Sequence, residues 1–201
     1  MFNFKALAVL AGLALVSSTP AAHAVELKRS GASLLLQGPL NWGDHHVFKA
    51  FVDAQPPGIR TVVLNSGGGS VEAAQEIGRR IRKEGWATLV DARRARCASA
   101  CTAIFAAGTA RHYVGADGIA DGAVAPKAMR GGLAYHQGSS PQSLHANHYS
   151  GGASAYMVAV YYEFGSRGAA SIIDLAAPNM LYAISGRTAL EKGIATSLAT
   201  P

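Results

Sequence analysis

The chain has 201 residues, of which 49% are hydrophobic and 15% charged, and its 18 Lys and Arg against 12 Asp and Glu give a formal net charge of +6 at pH 7. The basic residues are dispersed: their only close cluster is Arg93, Arg94 and Arg96, which is too short for a nucleic-acid tract and has no interleaved aromatic residues for base stacking. We therefore expect no nucleic-acid partner, and the length suits one globular domain.

The N-terminus has the pattern of a secretory signal peptide. Lys5 is its single positive charge, an apolar run extends from Ala6 to Val16, and Ala22-His-Ala24 has the small-x-small form of a cleavage site. The run is too short to span a bilayer as a helix, and no later segment has about 18 uninterrupted apolar residues. We expect cleavage after Ala24, which leaves residues 25–201 as a single periplasmic or secreted domain without membrane contact.

The first half of the remaining chain alternates between strand and helix patterns. The predicted strands are Val25–Ser30 with Ser33–Leu40, as a pair or one bent strand, then Thr61–Leu64 and Trp86–Val90. The predicted helices are Asp44–Ala54, Ser70–Lys83 and a segment that begins near Ser99. Alternation of this kind predicts a parallel sheet with crossover helices.

The second half is less regular. Arg111–Val114 and Leu133–His136 are predicted as short strands. Between them lies a Gly- and Ala-rich insertion, residues 115–132, which we interpret as a lid or specificity loop. After a polar loop over 137–150, the predicted helices are Ala153–Phe164, Arg167–Leu175 and Gly186–Gly193.

The chain has two cysteines, Cys97 and Cys101, which flank Ser99 in a run of small residues. One helical turn brings two Cα atoms within about 6 Å, inside the range that a disulfide tolerates. In an oxidising compartment a Cys97–Cys101 disulfide is the natural prediction. A metal site would need more ligands than two cysteines, and a nucleophilic thiol would tend to be oxidised there.

Ser99 lies where a strand gives way to a helix. The first N–H groups of a helix are unpaired and its dipole is positive there, so that negative charge on a substrate oxygen would be stabilised. Serine is also a common N-cap, and position alone does not separate the two roles.

A glycine-rich loop, Asn65-Ser-Gly-Gly-Gly-Ser-Val71, joins the predicted strand Thr61–Leu64 to the next helix. It matches neither common phosphate-binding pattern, because it lacks both the Lys-Ser/Thr ending of a P-loop and the spacing of a dinucleotide fingerprint. Its backbone is a candidate oxyanion hole, since this loop and the Ser99 segment emerge at the same edge of a parallel sheet.

One histidine differs from the others. His136 ends an apolar strand at that same edge, as a site residue would. The remaining histidines of the predicted mature chain are interpreted as surface or capping residues: His45, His46, His112, His145 and His148. Because no zinc-ligand spacing occurs among them, we expect no metal.

Taken together, these motifs resemble the proteolytic subunit of the Clp protease and, more broadly, Clp/crotonase-fold proteins, in particular exported members of that group. The matching motifs are Asn65-Ser-x-Gly-Gly-x-Val71, then Ala98-Ser-Ala-x-x-x-Ile-Phe-Ala-Ala-Gly108, then a strand ending in His136-Gln137. The resemblance covers residues 58 to 137 and, more loosely, Thr188–Ala195. It implies an α/β fold, a spiral of β-β-α units with a mainly parallel sheet and crossover helices.

Carried over by position, the resemblance implies that Ser99 is the nucleophile and His136 the general base. It implies that the N–H groups of Gly69 and Ala100, with Gly68 adjacent, form the oxyanion hole.

Three departures from the family pattern stand out. Gly67 occupies a position that is usually proline, and the 115–132 insertion lengthens the segment between nucleophile and base. No aspartate precedes the terminal helix where the family has its orienting acid; Asn179 is the nearest candidate there, and Asp174 is the alternative.

The function predicted from the sequence is an exported serine hydrolase, a peptidase that acts on short or unfolded peptides, without a cofactor. Homo-oligomers are expected because helices such as Ala153–Tyr162 carry more apolar surface than a small monomer easily buries. The alternative is a catalytically inactive Clp-like module that binds peptides or proteins. An acyl-CoA enzyme of the crotonase type would suit the two N–H groups but not the export signal.

Overall fold

The computed structural model of the chain describes residues 25–139 and 148–201. The predicted signal peptide lies outside these residues, and so does His145. Within them are nine strands and six α-helices. The strands are β1 Glu26–Ser30, β2 Ser33–Gln37, β3 Thr61–Asn65, β4 Ala87–Asp91, β5 Arg96–Ala98, β6 Arg111–Val114, β7 Gly122–Val124, β8 Gly132–Tyr135 and β9 Leu181–Ile184. The helices are α1 Asp44–Asp53, α2 Val71–Glu84, α3 Ala100–Ala107, α4 Gly151–Glu163, α5 Arg167–Ala170 and α6 Gly186–Glu191.

The larger sheet has the order β1-β2-β3-β4-β6. β1 and β2 form an antiparallel hairpin, and the remaining neighbours pair in parallel. The side chains of Val62 and Leu64 in β3 are fully buried. Because helices cover parallel strands, such strands are rich in β-branched and aliphatic residues, and this is why β3 was recognisable in the sequence.

Helix α2 packs tightly against its neighbours. The Ser70 hydroxyl caps its N-terminus by accepting a hydrogen bond from the N–H of Ala73, 3.1 Å away. At Gly78 an added Cβ would lie 2.6 Å from the Phe164 ring and 3.0 Å from the Cβ of Ala107. The helix therefore approaches α3 and the end of α4 at a distance that only glycine allows.

The smaller sheet has the order β5-β8-β9-β7, in which only β5 and β8 are parallel. It joins the larger sheet just beyond β3. There the N–H of Ser66 donates to the carbonyl of Arg96 at 2.8 Å, and the N–H of Ala98 donates to the carbonyl of Ser66 at 3.1 Å. β5 therefore lies between the loop that follows β3 and the strand that leads to His136.

The strands and helices predicted for the first half of the chain are present within a few residues of the predicted bounds. The sequence analysis did not predict β5, β7 or β9. The predicted helix Arg167–Leu175 is instead the short α5 followed by a 3₁₀ helix over Ile173–Leu175. These segments are only three or four residues long, and a periodic pattern needs more residues than that to be distinguishable.

The 115–132 insertion is part of the smaller sheet. Its strand β7 pairs with β9. The carboxylate of Asp121 accepts a hydrogen bond from the N–H of Ser185 at 2.7 Å and another from the hydroxyl of Thr188 at 2.7 Å, at the start of α6. Both contacts anchor the insertion to the C-terminal part of the chain.

Across residues 25–139 and 148–201, no helix combines the length and the apolar character needed to cross a bilayer.

Candidate active site

Ser99 has an unusual backbone conformation. It connects the end of β5 to α3 with φ 53° and ψ −132°, and it is the one non-glycine residue with positive φ in the described part of the chain. Its N–H donates to the carbonyl of Ala134 at 3.1 Å, and its carbonyl accepts from the N–H of Thr102 at 2.9 Å. Strain of this kind persists only where the surroundings hold it, and a strained strand-to-helix turn is how nucleophile elbows expose a serine.

A disulfide closes a short covalent ring around Ser99. Cys97 and Cys101 are bonded, their Cα atoms are 5.2 Å apart, and both side chains are fully buried. The disulfide predicted from the sequence is therefore present. Because Cys97 lies in β5 and Cys101 in the first turn of α3, the bond fixes the strand and the helix relative to each other on either side of the serine.

The glycine loop contacts this elbow directly. Gly68 has φ 94°, and a Cβ placed there would lie 2.6 Å from the Cβ of Ser99 and 2.9 Å from the backbone nitrogen of Ala100. Only glycine fits this position. The N–H of Gly68 donates to the hydroxyl of Ser66 at 3.1 Å, so this N–H is already engaged.

The next residue of the loop, Gly69, has an N–H group that is unpaired within the described part of the chain. It forms a parallel bridge with Leu40, in which the N–H of Leu40 donates to Gly68 and the N–H of Ser70 donates to Leu40. In such a bridge the N–H of the middle residue points away from its partner. The N–H groups of Gly69 and of Ala100, the first residue of α3, have no hydrogen-bond partner among the described residues. Two unpaired donors thus flank the Ser99 elbow.

His136 follows β8, the parallel neighbour of β5. The register pairs Ala98 with Ala134, whose carbonyl holds the N–H of Ser99, so the backbone of His136 passes close to the elbow. Among residues 25–139 and 148–201, no hydrogen bond joins the His136 ring to the Ser99 hydroxyl, and the buried Nδ1 of His136 has no partner. The two residues share a region without being hydrogen-bonded.

The two candidates for orienting His136 lie nearby but do not bind it. Asp174 is exposed, and one of its carboxylate oxygens accepts a hydrogen bond from the side-chain amide of Gln137 at 3.3 Å. The N–H of Gln137 donates to the carbonyl of Ala176 at 3.0 Å, so the segment around Asp174 runs beside the residue that follows His136. Asn179 is also exposed, and neither side chain is hydrogen-bonded to Nδ1 of His136.

Burial lowers the pKa of His136, and the neighbouring backbone of Gln137 acts in the opposite direction. A lowered pKa favours the neutral imidazole, which is the form that accepts a proton. The electrostatic environment thus suits a general base at neutral pH.

Three other histidines make contacts away from Ser99. The Nδ1 atom of His112 is hydrogen-bonded to the carbonyl of Ala199 at 2.8 Å, and the rings of His45 and His46 lie 4.0 Å apart at the start of α1. In the described ranges no cluster of three or more His, Cys, Asp or Glu side chains is placed to hold a metal ion.

Comparison with solved structures identifies similar folds. Two of them are forms of the 1510-N membrane-bound stomatin-specific protease, both 15% identical to this chain with a TM-score of 0.57 over 83% of it. One is a serine-to-alanine mutant, of which 77% is covered; the other is a lysine-to-alanine mutant in complex with a substrate peptide, of which 73% is covered. No protein-family profile matches the chain. No curated protein matches it either.

At this level of identity the likeness concerns the fold. The mixed α/β, Clp-like fold predicted from the motifs is confirmed, with parallel strands and crossover helices.

Sequence analysis missed the residues that hold the site in place. Leu40 orients Gly69 and Ser66 occupies the N–H of Gly68, through contacts between segments that are distant in sequence. The role of Thr102 could have been predicted from the sequence, because a Thr three residues after the Ser that begins a helix can donate a hydrogen bond to the carbonyl of that Ser. The Thr102 hydroxyl donates to the carbonyl of Ser99 at 2.6 Å.

Proposed function

We propose that the protein is an exported serine hydrolase, a peptidase in which Ser99 is the nucleophile and His136 the general base. The observation that carries the proposal is the Ser99 elbow, with its strained backbone and the two unpaired N–H groups of Gly69 and Ala100 beside it. The fold is that of peptidases, and one structural neighbour has a substrate peptide bound. Short peptides and unfolded segments are the substrates that we expect.

In this mechanism the neutral imidazole of His136 takes the proton of the Ser99 hydroxyl as the oxygen attacks the scissile carbonyl. The N–H groups of Gly69 and Ala100 stabilise the tetrahedral oxyanion, and the imidazolium then gives its proton to the leaving amine. Water hydrolyses the acyl-enzyme by the same steps in reverse. Loss of one oxyanion donor in a serine protease costs about 10²–10³-fold in kcat, so these backbone groups supply a large part of the rate.

The base works as the second member of a dyad in this proposal. Asn179 and Asp174 remain the predicted candidates for a third member that would orient the imidazole. An asparagine can orient a histidine, but it stabilises the imidazolium less than a carboxylate does.

A fluorophosphonate probe tests the nucleophile. We expect the wild type to be labelled at Ser99, identified by peptide mass spectrometry, and Ser99→Ala to remain unlabelled. Ser171→Ala is the matched control, because Ser171 is exposed at the end of α5, and it should be labelled as the wild type is. Equal labelling of Ser99→Ala would refute the proposal.

The general base has its own comparison. The neighbouring protease was studied as a lysine mutant, and Lys127 is an exposed lysine that follows Ser99 in this chain. We expect His136→Ala to reduce peptide hydrolysis by about 10²-fold or more with the fold retained, and Lys127→Ala to leave it unchanged. The reverse result would assign a different base.

The second candidate function is a peptide-binding module without catalysis. The unpartnered Nδ1 of His136 and the absence of a hydrogen bond between His136 and Ser99 among the described residues favour it. Peptide binding that is unaffected by Ser99→Ala, with no turnover and no probe labelling of the wild type, would select it over the enzyme.

Export and self-association complete the proposal. Structural disulfides such as Cys97–Cys101 form and persist in oxidising compartments. Protein isolated from the periplasm or the medium should begin at Val25.

Three large side chains on and before α4 are exposed to solvent: Tyr149 by 59%, Tyr156 by 41% and Tyr162 by 58%. Sedimentation should therefore show a homo-oligomer that Tyr162→Ser weakens. A wild-type monomer at micromolar concentration would contradict this.

A further inference from the structure

A groove of about 560 Å³ adjoins the glycine loop. The residues that line it include Gln37, Pro39, Asn65, Gly67, Gly68 and Arg96. Gly68 is also the residue that contacts Ser99. Gly68 therefore lies between the groove and the candidate nucleophile, which does not itself line the groove.

Arg96 is the charged residue of this groove. Its side chain is exposed, and its guanidinium makes no hydrogen bond or ion pair with any described residue. The arginines at 79, 80, 93 and 94, in contrast, are each within 2.9 Å of a carboxylate oxygen. An unpaired cation in a concave surface beside a reactive centre is available to a ligand.

The backbone that carries Arg96 is fixed. Its N–H donates to the side-chain oxygen of Asn65 at 3.3 Å, its carbonyl accepts from Ser66, and the next residue is the disulfide-bonded Cys97. The guanidinium lies over Gly67, with one nitrogen 3.2 Å from the position that a Cβ there would take. Glycine at 67 leaves room for this side chain.

The other residues that line the groove are uncharged. The amide of Asn65 donates to the side-chain oxygen of Gln37 at 3.4 Å, and the amide of Gln37 donates to a carboxylate oxygen of Glu26 at 3.4 Å. A ligand carboxylate that entered next to Arg96 would meet neutral amides on the walls.

We propose that this groove is a substrate subsite in which Arg96 binds a carboxylate of the peptide. The proposal rests on the proposed function, because it assumes a peptide substrate that acylates Ser99. Such a peptide can extend past Gly68 into the groove. A guanidinium pairs with a carboxylate through two parallel hydrogen bonds, and such charge-assisted pairs are about twice as strong as neutral ones. The carboxylate is either an Asp or Glu side chain near the scissile bond or the C-terminus of the substrate.

The experiment compares kcat/KM for matched fluorogenic peptides. One series exchanges Asp for Asn at each position around the scissile bond, and a second exchanges a free C-terminus for an amide. We expect one carboxylate to raise kcat/KM of the wild type about tenfold or more. A preference in the first series identifies a side-chain carboxylate, and a preference in the second identifies the C-terminus.

Variants of Arg96 and a matched arginine locate the effect. Arg96→Gln should abolish the preference and Arg96→Glu should reverse it. Arg60→Gln is the control, because Arg60 is exposed just before β3, at the opposite end of that strand from Asn65. A wild type without carboxylate preference, or a preference that survives in Arg96→Gln, would overturn the proposal.

Probe labelling separates this outcome from failure of the proposed function. Arg96→Gln should keep fluorophosphonate labelling of Ser99, because the probe does not occupy the groove. If the wild type neither reacts with the probe nor cleaves peptides, fluorescence anisotropy with the same peptides tests the subsite alone. Tighter binding of the carboxylate-bearing peptide, lost in Arg96→Gln, supports the subsite. Equal binding of the two peptides refutes it.

Discussion

The two sides of the candidate site are built in different ways. At Ser99 the backbone is held by main-chain hydrogen bonds to Ala134 and Thr102, by a disulfide and by the close approach of Gly68. At His136, Nδ1 is buried and has no hydrogen-bond partner among the described residues. The candidate nucleophile and the two unpaired N–H groups beside it are thus held in place by the chain itself, whereas a His136 acting as the base would have to acquire its contact with Ser99, as catalytic hydrogen bonds often do only when substrate binds.

The largest effect is expected from breaking the nucleophile side at Gly68. In Gly68→Ala the added methyl group would collide with Ser99 and with the backbone of Ala100, displacing nucleophile and oxyanion donor together. We expect peptide hydrolysis to fall about 10³-fold or more, given that each element alone contributes about 10²–10³. Steady-state kinetics measures the loss of activity, and a cooperative thermal unfolding transition shows that the variant is still folded.

Gly67→Ala is the matched control for that variant. Its nearest neighbour is the mobile end of Arg96 at 3.2 Å, which can move aside. With a peptide that carries no carboxylate, and so does not depend on Arg96, its activity should stay within about threefold of the wild type, as is usual for substitutions without a named cause of destabilisation. Equal losses in the two variants would show that the contact between Gly68 and Ser99 is unimportant.

Removing the disulfide tests the same side more gently. Replacing Cys97 and Cys101 together by Ala should lower the free energy of unfolding by about 2 kcal/mol, because the closed loop is short. Activity should fall about tenfold, since a loosened elbow misplaces the nucleophile. Urea unfolding and kcat check the two effects, and unchanged kcat in a destabilised variant would mean that the disulfide serves stability alone.

A pH profile examines the His136 side. Because burial lowers the pKa of His136, the imidazole stays neutral to a lower pH than a free histidine, whose pKa is about 6.5. Protonation removes the base, so kcat/KM should hold constant through neutral pH and fall as the pH drops below about 6.5. An acid limb centred above that value would contradict a buried histidine base.

The smallest effects are expected at the two candidate orienting residues. Since neither Asp174 nor Asn179 is hydrogen-bonded to His136, Asp174→Asn and Asn179→Ala should each change kcat/KM by less than about tenfold, far below the roughly 10⁴-fold loss that accompanies removal of a functional triad aspartate. A loss approaching that size in either variant would identify it as the third member and reverse the contrast between the two sides.

Sequence patterns predicted the parts of this molecule that are determined locally. β3 follows from a buried β-branched and aliphatic run, α2 from the amphipathic spacing over Ser70–Lys83, and the elbow from the order of its motifs. β5 could not be predicted in this way, because its three residues are strand only through pairing with β8 and with Ser66. The partner of His136 is equally non-local, as it depends on where a segment forty residues downstream, around Asp174 and Asn179, directs its side chains.

The burial of α3 has a consequence for salt dependence. All eight of its residues are buried, so dissolved ions screen the positive end of its dipole at Ala100 less than they screen an exposed charge. Arg96, in contrast, is exposed to solvent. Raising the ionic strength should therefore leave the acylation rate constant at saturating substrate nearly unchanged while weakening recognition of a carboxylate, and added salt would separate the chemical step from substrate selection in a single titration.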